Sequence, residues 1–154
     1  MSSAVLVALR IKAPPARVFA AFTEEIAAWW RPNALFQFTP RSPGILAFEP
    51  GPQGRLIERL PNGKVFEIGR ILAWEPPAHL AFSWRQATFA PDQLTHVDVR
   101  FEAAGDETRV TVRHTGWDSI PPEHVAKHGF PEPVFLKRHG EYWRALLESL
   151  RARA

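Results

Sequence analysis

The sequence predicts an α+β fold in which an antiparallel β-sheet of about six to seven strands curls around one long C-terminal α-helix. Three observations predict it. From Val134 to Leu150, apolar and aromatic residues fall at Phe135, Leu136, Tyr142, Trp143, Leu146, Leu147 and Leu150, the three- and four-residue steps of a helix with one broad apolar face. Several earlier segments instead alternate with period two, as half-buried strands do. Between the first of these and the rest lie two short helical patterns, which make a bent helical lobe and not a crossover between parallel strands.

The elements follow in order. Val5, Val7, Leu9 and Ile11 alternate with Leu6, Ala8, Arg10 and Lys12, and Ala13-Pro14-Pro15 ends this strand. Pro15 to Phe22 reads as a short helix with Val18, Phe19 and Phe22 on one side. Thr23 is a suitable N-cap for a second helix, Glu24 to Trp30, which Pro32 stops. Residues 31–43 show no period. Gly44 to Phe48 and Arg55 to Arg59 read as strands around a Pro/Gly turn, and Asn62-Gly63 signals a hairpin into a long strand from Val65 to Trp74. Gly69 inside that strand suggests a bulge or a close backbone approach. His79 to Arg85 follows. Next comes the clearest alternation, Val97, Val99 and Phe101, and then Val110 and Val112 after the Gly105-Asp106 turn. The same period carries His114 onto the apolar face. Gly116 to Pro133 is a long connection rich in Pro and His. Glu132-Pro133 offers a start for the last helix.

Composition narrows the function classes. The chain has 154 residues, 45% of them hydrophobic, with six Trp and eleven Phe, enough for one domain (1–154) with a substantial core. With no Cys, disulfides and thiolate chemistry are excluded. The net charge of +3 comes from 19 basic residues scattered among 16 acidic ones, with only Arg151-Ala152-Arg153 as a local cluster, read as a frayed, solvated end. Nucleic-acid binding is not expected. No apolar run approaches the length of a membrane span, and Met1-Ser2-Ser3 leads directly into the first strand without a signal-peptide pattern. A cytoplasmic location is expected, with no membrane insertion.

Several stretches, taken together, resemble a known group. Ala13-Pro14, Val18-Phe19 and Phe22-Thr23 are similar to its opening, and Trp29-Trp30 to the paired Trp closing its second helix. Gly69-Arg70 with Trp74-Glu75-Pro76-Pro77, Leu80 and Trp84 is the most specific part, and His114-Thr115-Gly116-Trp117 resembles the end of its last strand. In order and spacing these resemble the SRPBCC (START-like) superfamily. Within it they are most similar to bacterial proteins related to the C-terminal domain of the activator of the heat-shock-protein-ninety ATPase. The resemblance covers residue 4 to about residue 150 and implies a helix-grip fold. It does not imply one activity, since the superfamily includes carriers, receptors and cyclases. The chain departs from the pattern at Pro43-Gly44, where a double Gly is usual, and at Gly140, which Glu141-Tyr142 separates from Trp143.

The candidate site is an apolar cavity between the long helix and the sheet. Trp29, Trp30, Trp117 and Trp143 can line a cavity as readily as fill a core. His114 and His139 are each the polar member of an apolar stripe, and their rings can meet each other or a shared ligand. Phe135 and Tyr142 share the helix face with Gly140, whose missing side chain leaves room for the close approach of the sheet or for a ligand. Arg70 faces either the cavity, where it would bind a carboxylate, or the outside, and so does Glu67 two residues before Gly69. Trp74 and Trp84 read as closing the ends of the sheet. The 117–133 connection would be the lid. His124 and His128 have the i, i+4 spacing of a helical metal pair but lack a third ligand, so no metal is expected. No catalytic set and no cofactor motif is recognisable. The expected role is binding of a small apolar or aromatic molecule. The alternative is a protein-interaction module of co-chaperone type, and an enzyme of cyclase or hydrolase type ranks below both.

Overall fold

A computed structural model describes residues 4–33, 35–39 and 44–154. Seven antiparallel strands form one curled sheet: β1 (Val5–Ile11), β2 (Ile45–Phe48), β3 (Arg55–Arg59), β4 (Val65–Glu75), β5 (His79–Trp84), β6 (Thr95–Ala104) and β7 (Glu107–Thr115), in the spatial order β1-β7-β6-β5-β4-β3-β2. Every neighbour after β2 is joined by a hairpin. Only β1 crosses over, to pair with β7 at the opposite end of the chain, so that Val5 lies opposite His114 and Val7 opposite Val112. The helices α1 (Pro15–Glu24) and α2 (Ile26–Trp29) follow β1, and α3 (Glu132–Arg153) closes the chain.

The predicted C-terminal helix is longer than its apolar stripe. It starts at Glu132, with Pro133 in the first turn, and continues to Arg153. Phe135, His139, Tyr142, Trp143, Leu146, Leu147 and Leu150 are its buried residues, which is the predicted face except for Leu136, which is half-buried. The basic end is not frayed: the Arg153 guanidinium donates to Glu25 at 2.8 Å, and Arg17 binds the same carboxylate. Arg17 first and Arg153 second hold the Glu25 carboxyl down at about 2. The break between α1 and α2 falls two residues later than predicted. Thr23 lies inside α1, donating its hydroxyl back to the Phe19 carbonyl, and is not an N-cap.

Two irregularities in β4 decide what its side chains face. Leu56 pairs with Gly69 but Ile57 with Glu67, leaving Ile68 as an extra residue; Ile71 pairs with Phe82 but Ala73 with Ala81, leaving Leu72 extra. A Cβ on Gly69 would sit 1.6 Å from the Ser83 carbonyl oxygen, so the expected close backbone approach is present.

Gly140 lies beside β1, and the packing does not require its missing side chain. A Cβ there would meet only Val5 Cγ1, at 3.7 Å, an ordinary contact with β1. Gly140→Ala should therefore stabilise the protein by about 0.5–1 kcal/mol in denaturant unfolding, the helix-propensity difference. A loss of stability would show that β1 needs the glycine.

Candidate functional site

The space between the N-terminal half of α3 and the sheet is filled by aromatic side chains. His114, Trp117, Phe135, His139 and Trp143 are all completely buried. Trp84, at the end of β5, sits at their centre with its ring centroid 4.8 Å from that of His114 and 5.7 Å from that of Trp143. It does not simply close the end of the sheet, whereas Trp74 is half-buried and packs edge-on against Phe19.

The hydrogen bonds fix the tautomers of the two histidines. Thr95 gives its hydroxyl proton to the Trp84 carbonyl (2.9 Å), so its oxygen must accept from His114 Nε2 (2.8 Å). That leaves His114 Nδ1 as an acceptor, reached at 3.1 Å by the Trp143 indole N–H and at 3.1 Å by His139 Nε2, which must therefore carry its proton. His139 Nδ1 and the indole N–H groups of Trp84 and Trp117 find no protein partner. Burial lowers His114 well below the ordinary imidazole value, with His139 and His96 adding to the effect, and burial brings His139 down to about 3. The pair is a neutral structural node, and neither ring lines a cleft.

A cleft lies one layer further out. It has a volume of about 390 Å³ and is walled chiefly by Trp30, Phe36, Phe38 and Leu46, with Glu58 as its buried charged group. Its main wall is held from α3. The carbonyls on either side of Trp30 are both pinned: that of Trp29 accepts from Ser149 Oγ (2.6 Å) and that of Arg31 from the Tyr142 hydroxyl (3.1 Å). Burial raises the Tyr142 phenol above its ordinary range, which keeps it a donor. Trp29 itself points into the core, its indole N–H donating to the Ala21 carbonyl at 2.9 Å. Phe36 stacks on Tyr142 (5.2 Å, 20° between planes) and meets His139 edge-on at 4.8 Å. Phe38 packs between Trp30 and Trp84. Glu58 reaches the interior because it is two residues from the core residue Leu56 on the same strand.

Of the nine sequence-predicted ligand residues, only Trp30 lines this cleft. Tyr142 anchors Trp30, and Phe135 and His139 back Phe36. Trp29, His114, Trp117 and Trp143 belong to the packed layer behind. Arg70 is outside: its side chain is 70% exposed and pairs with Glu67, because the β4 bulges turn it to solvent. Phe36, Phe38, Leu46 and Glu58 were not foreseen. Period two from Leu56 would have indicated Glu58, and Leu46 lies in a predicted strand. Phe36 and Phe38 lie in a segment without a period, part of which, residues 34 and 40–43, falls outside the described residues.

The 117–133 connection is tied down and does not line the Trp30 cleft. Two 3-10 turns, Trp117–Ser119 and Val125–Lys127, give it shape. Lys127 is 1% exposed and donates to the carbonyls of Trp117 (2.9 Å) and Ile120 (2.7 Å) and to Glu132 (2.9 Å). His124 and His128 are not on one helix face: His124 caps the second turn and bonds to the Thr88 carbonyl, while His128 bonds to the Leu35 carbonyl. Among the described residues no three His, Asp or Glu gather as metal ligands would, and no helix is long and apolar enough to cross a membrane.

A curled antiparallel sheet gripping a C-terminal helix, with paired helices after the first strand, defines a helix-grip protein of the SRPBCC (START-like) class. Within that class, residues 12–154 match the family described as "Activator of Hsp90 ATPase homolog 1-like protein", and the chain belongs to it. No curated protein matches the chain. Solved structures of similar fold include protein MLL2253 from Mesorhizobium loti, at 20% identity and TM-score 0.67, covering 97% of this chain and 94% of that one. An HSP90 activator, PFC0360w, from Plasmodium falciparum is 16% identical with TM-score 0.68 over the same shares, 97% and 94%. The anthrahydroquino-γ-pyrone synthase Txn09 is 28% identical with TM-score 0.55, covering 95% of this chain and 96% of that chain.

Proposed function

We propose that this protein binds a small, largely hydrophobic molecule in the Trp30 cleft. One observation carries the reading: a volume of about 390 Å³ walled chiefly by aromatic and aliphatic side chains, with Asn33, Gln37 and Glu58 as its polar lining, at the lower end of the range for small-molecule sites. The walls are prepared in advance, because α3 fixes Trp30 from both sides and backs Phe36 through Tyr142. Rigid walls reduce the ordering that binding would otherwise cost. The 28% identity to a small-molecule synthase is compatible with such a cargo.

The interaction-module reading takes second place. It calls for a contiguous exposed apolar patch. Leu6, Ile45, Val65, Leu72, Leu94, Val125 and Val134 are exposed; Ile45 and Val65 flank Arg59 in register, and the others lie on separate strands, loops and α3. The HSP90-activator neighbour keeps this reading as the alternative. A cyclase- or hydrolase-type reaction would need several polar groups converging on the ligand, and the buried histidine pair is not placed to supply them.

Titration with N-phenyl-1-naphthylamine, a neutral apolar fluorophore, tests the reading. Saturable binding should quench Trp fluorescence, and at 100 times Kd it should add about 2.7 kcal/mol to stability. Trp30→Leu and Phe38→Leu should each weaken binding about tenfold or more, and Arg70→Ala should leave it unchanged. Absence of saturable binding, or affinity indifferent to both aromatic substitutions, would remove the cleft as the site.

A further inference from the structure

Glu58 is a carboxylate that the fold buries without a counter-ion among the described residues. It is 4% exposed, it stands in the wall of an apolar cleft, and no Arg, Lys or His among the described residues pairs with it. Its two oxygens each accept one hydrogen bond, Oε1 from the Thr39 hydroxyl at 2.9 Å and Oε2 from the Gly44 amide at 3.1 Å. A carboxylate offers about four acceptor positions, so roughly half of its capacity remains. Burying a charge is costly unless it is paired, and neutral donors offset only part of that cost. The local backbone is also shaped around this group. A Cβ at Gly44 would lie 2.6 Å from Glu58 Cγ and 2.6 Å from the Arg59 carbonyl oxygen, so glycine lets the backbone at 44 approach the carboxylate this closely.

The same cleft is lined by the rings of Trp30, Phe36 and Phe38, by Leu46 and by the neutral amides of Asn33 and Gln37. Aromatic faces attract organic cations, and the attraction grows where water is excluded. A cleft combining three rings with one buried carboxylate that no described cation pairs is suited to a ligand that is apolar in body and positive at one point. We propose that the ligand is an organic cation, an aromatic or alicyclic ammonium, with Glu58 as its counter-ion and donor-orienting group. This rests on the cleft being the binding site and adds the charge of what it takes.

The test uses two probes of nearly equal shape, 1-naphthylmethylammonium and 1-naphthylmethanol, titrated into the unaltered protein by calorimetry. The ammonium should bind at least tenfold more tightly than the alcohol. Glu58→Gln keeps the size and one acceptor for Thr39, and should bring the two affinities together. Equal affinities in the unaltered protein, both weakened by Trp30→Leu, would overturn the cation assignment while leaving the cleft as an apolar site. Failure of both probes to bind would overturn the two together. If Glu58→Gln lowers the melting temperature but keeps the tenfold preference, Glu58 only holds Thr39 and Gly44 in place and is not a counter-ion, and the assignment fails. Should Glu58→Gln not fold, the comparison of the two probes on the unaltered protein decides alone.

Discussion

Acidification from pH 7 to pH 5 should remove about 2 kcal/mol of folding stability through His139 and a further amount through His114. Both rings are completely buried, and burial is the first cause of their lowered pKa, with His139 at about 3. In the unfolded chain each takes up a proton near pH 6.5. Below that pH the unfolded state binds more protons than the folded state, so the contribution is fully present above about 6.5 and is lost as the pH falls toward 3. Each histidine contributes a slope of roughly 1.4 kcal/mol per pH unit in that window. Against a usual total of about 5–15 kcal/mol, the loss is large. His139→Phe should halve the slope. It removes one titrating ring and the unpartnered Nδ1, and His114 Nδ1 retains the Trp143 indole as its donor. Urea unfolding at a series of pH values measures the slope, and an acid limb unchanged by His139→Phe would contradict the assignment.

Lys127→Met should cost about 2–4 kcal/mol, although methionine matches the length and the apolar packing of the lysine stem. The ammonium holds together the carbonyls of Trp117 and Ile120 and the carboxylate of Glu132, and its nitrogen lies 5.8 Å from the centre of the Phe135 ring. Without it, two carbonyls and a carboxylate lose their donor, and breaking a buried charged network in this way is strongly destabilising. Glu132 is about one-third exposed, so water relieves part of the cost. The loss should appear in thermal unfolding together with faster amide exchange across 117–130. A neutral effect on stability would mean that the connection is held by its apolar contacts alone.

Much of the fold was legible in the sequence because each element carries its own period. The α3 stripe and the β6 and β7 alternations mark the faces that pack, and the period through Val110 and Val112 correctly carried His114 inward to meet His139. What could not be read depends on distant partners. The period of β4 is broken twice, which sends Arg70 out to Glu67. Lys127 is a basic residue in a loop, and nothing local indicates that three acceptors surround it. The gap at Gly140 stayed open between close approach of the sheet and room for a ligand because a helical stripe does not reveal its partner, and that partner is β1. The cleft itself is built mostly from 30–38, where tertiary contacts and not local pattern fix Phe36 and Phe38.

The binding site is tested most directly by the six tryptophan indole N–H signals in a heteronuclear NMR titration with 1-naphthylmethylammonium. Trp30 lines the cleft, Trp74 packs away from it against Phe19, and Trp117 and Trp143 are sealed between α3 and the sheet. The Trp30 signal should move most and saturate with the calorimetric affinity, while Trp74 stays in place. If Trp117 and Trp143 move and Trp30 does not, the ligand enters between α3 and the sheet and the cleft is not the site.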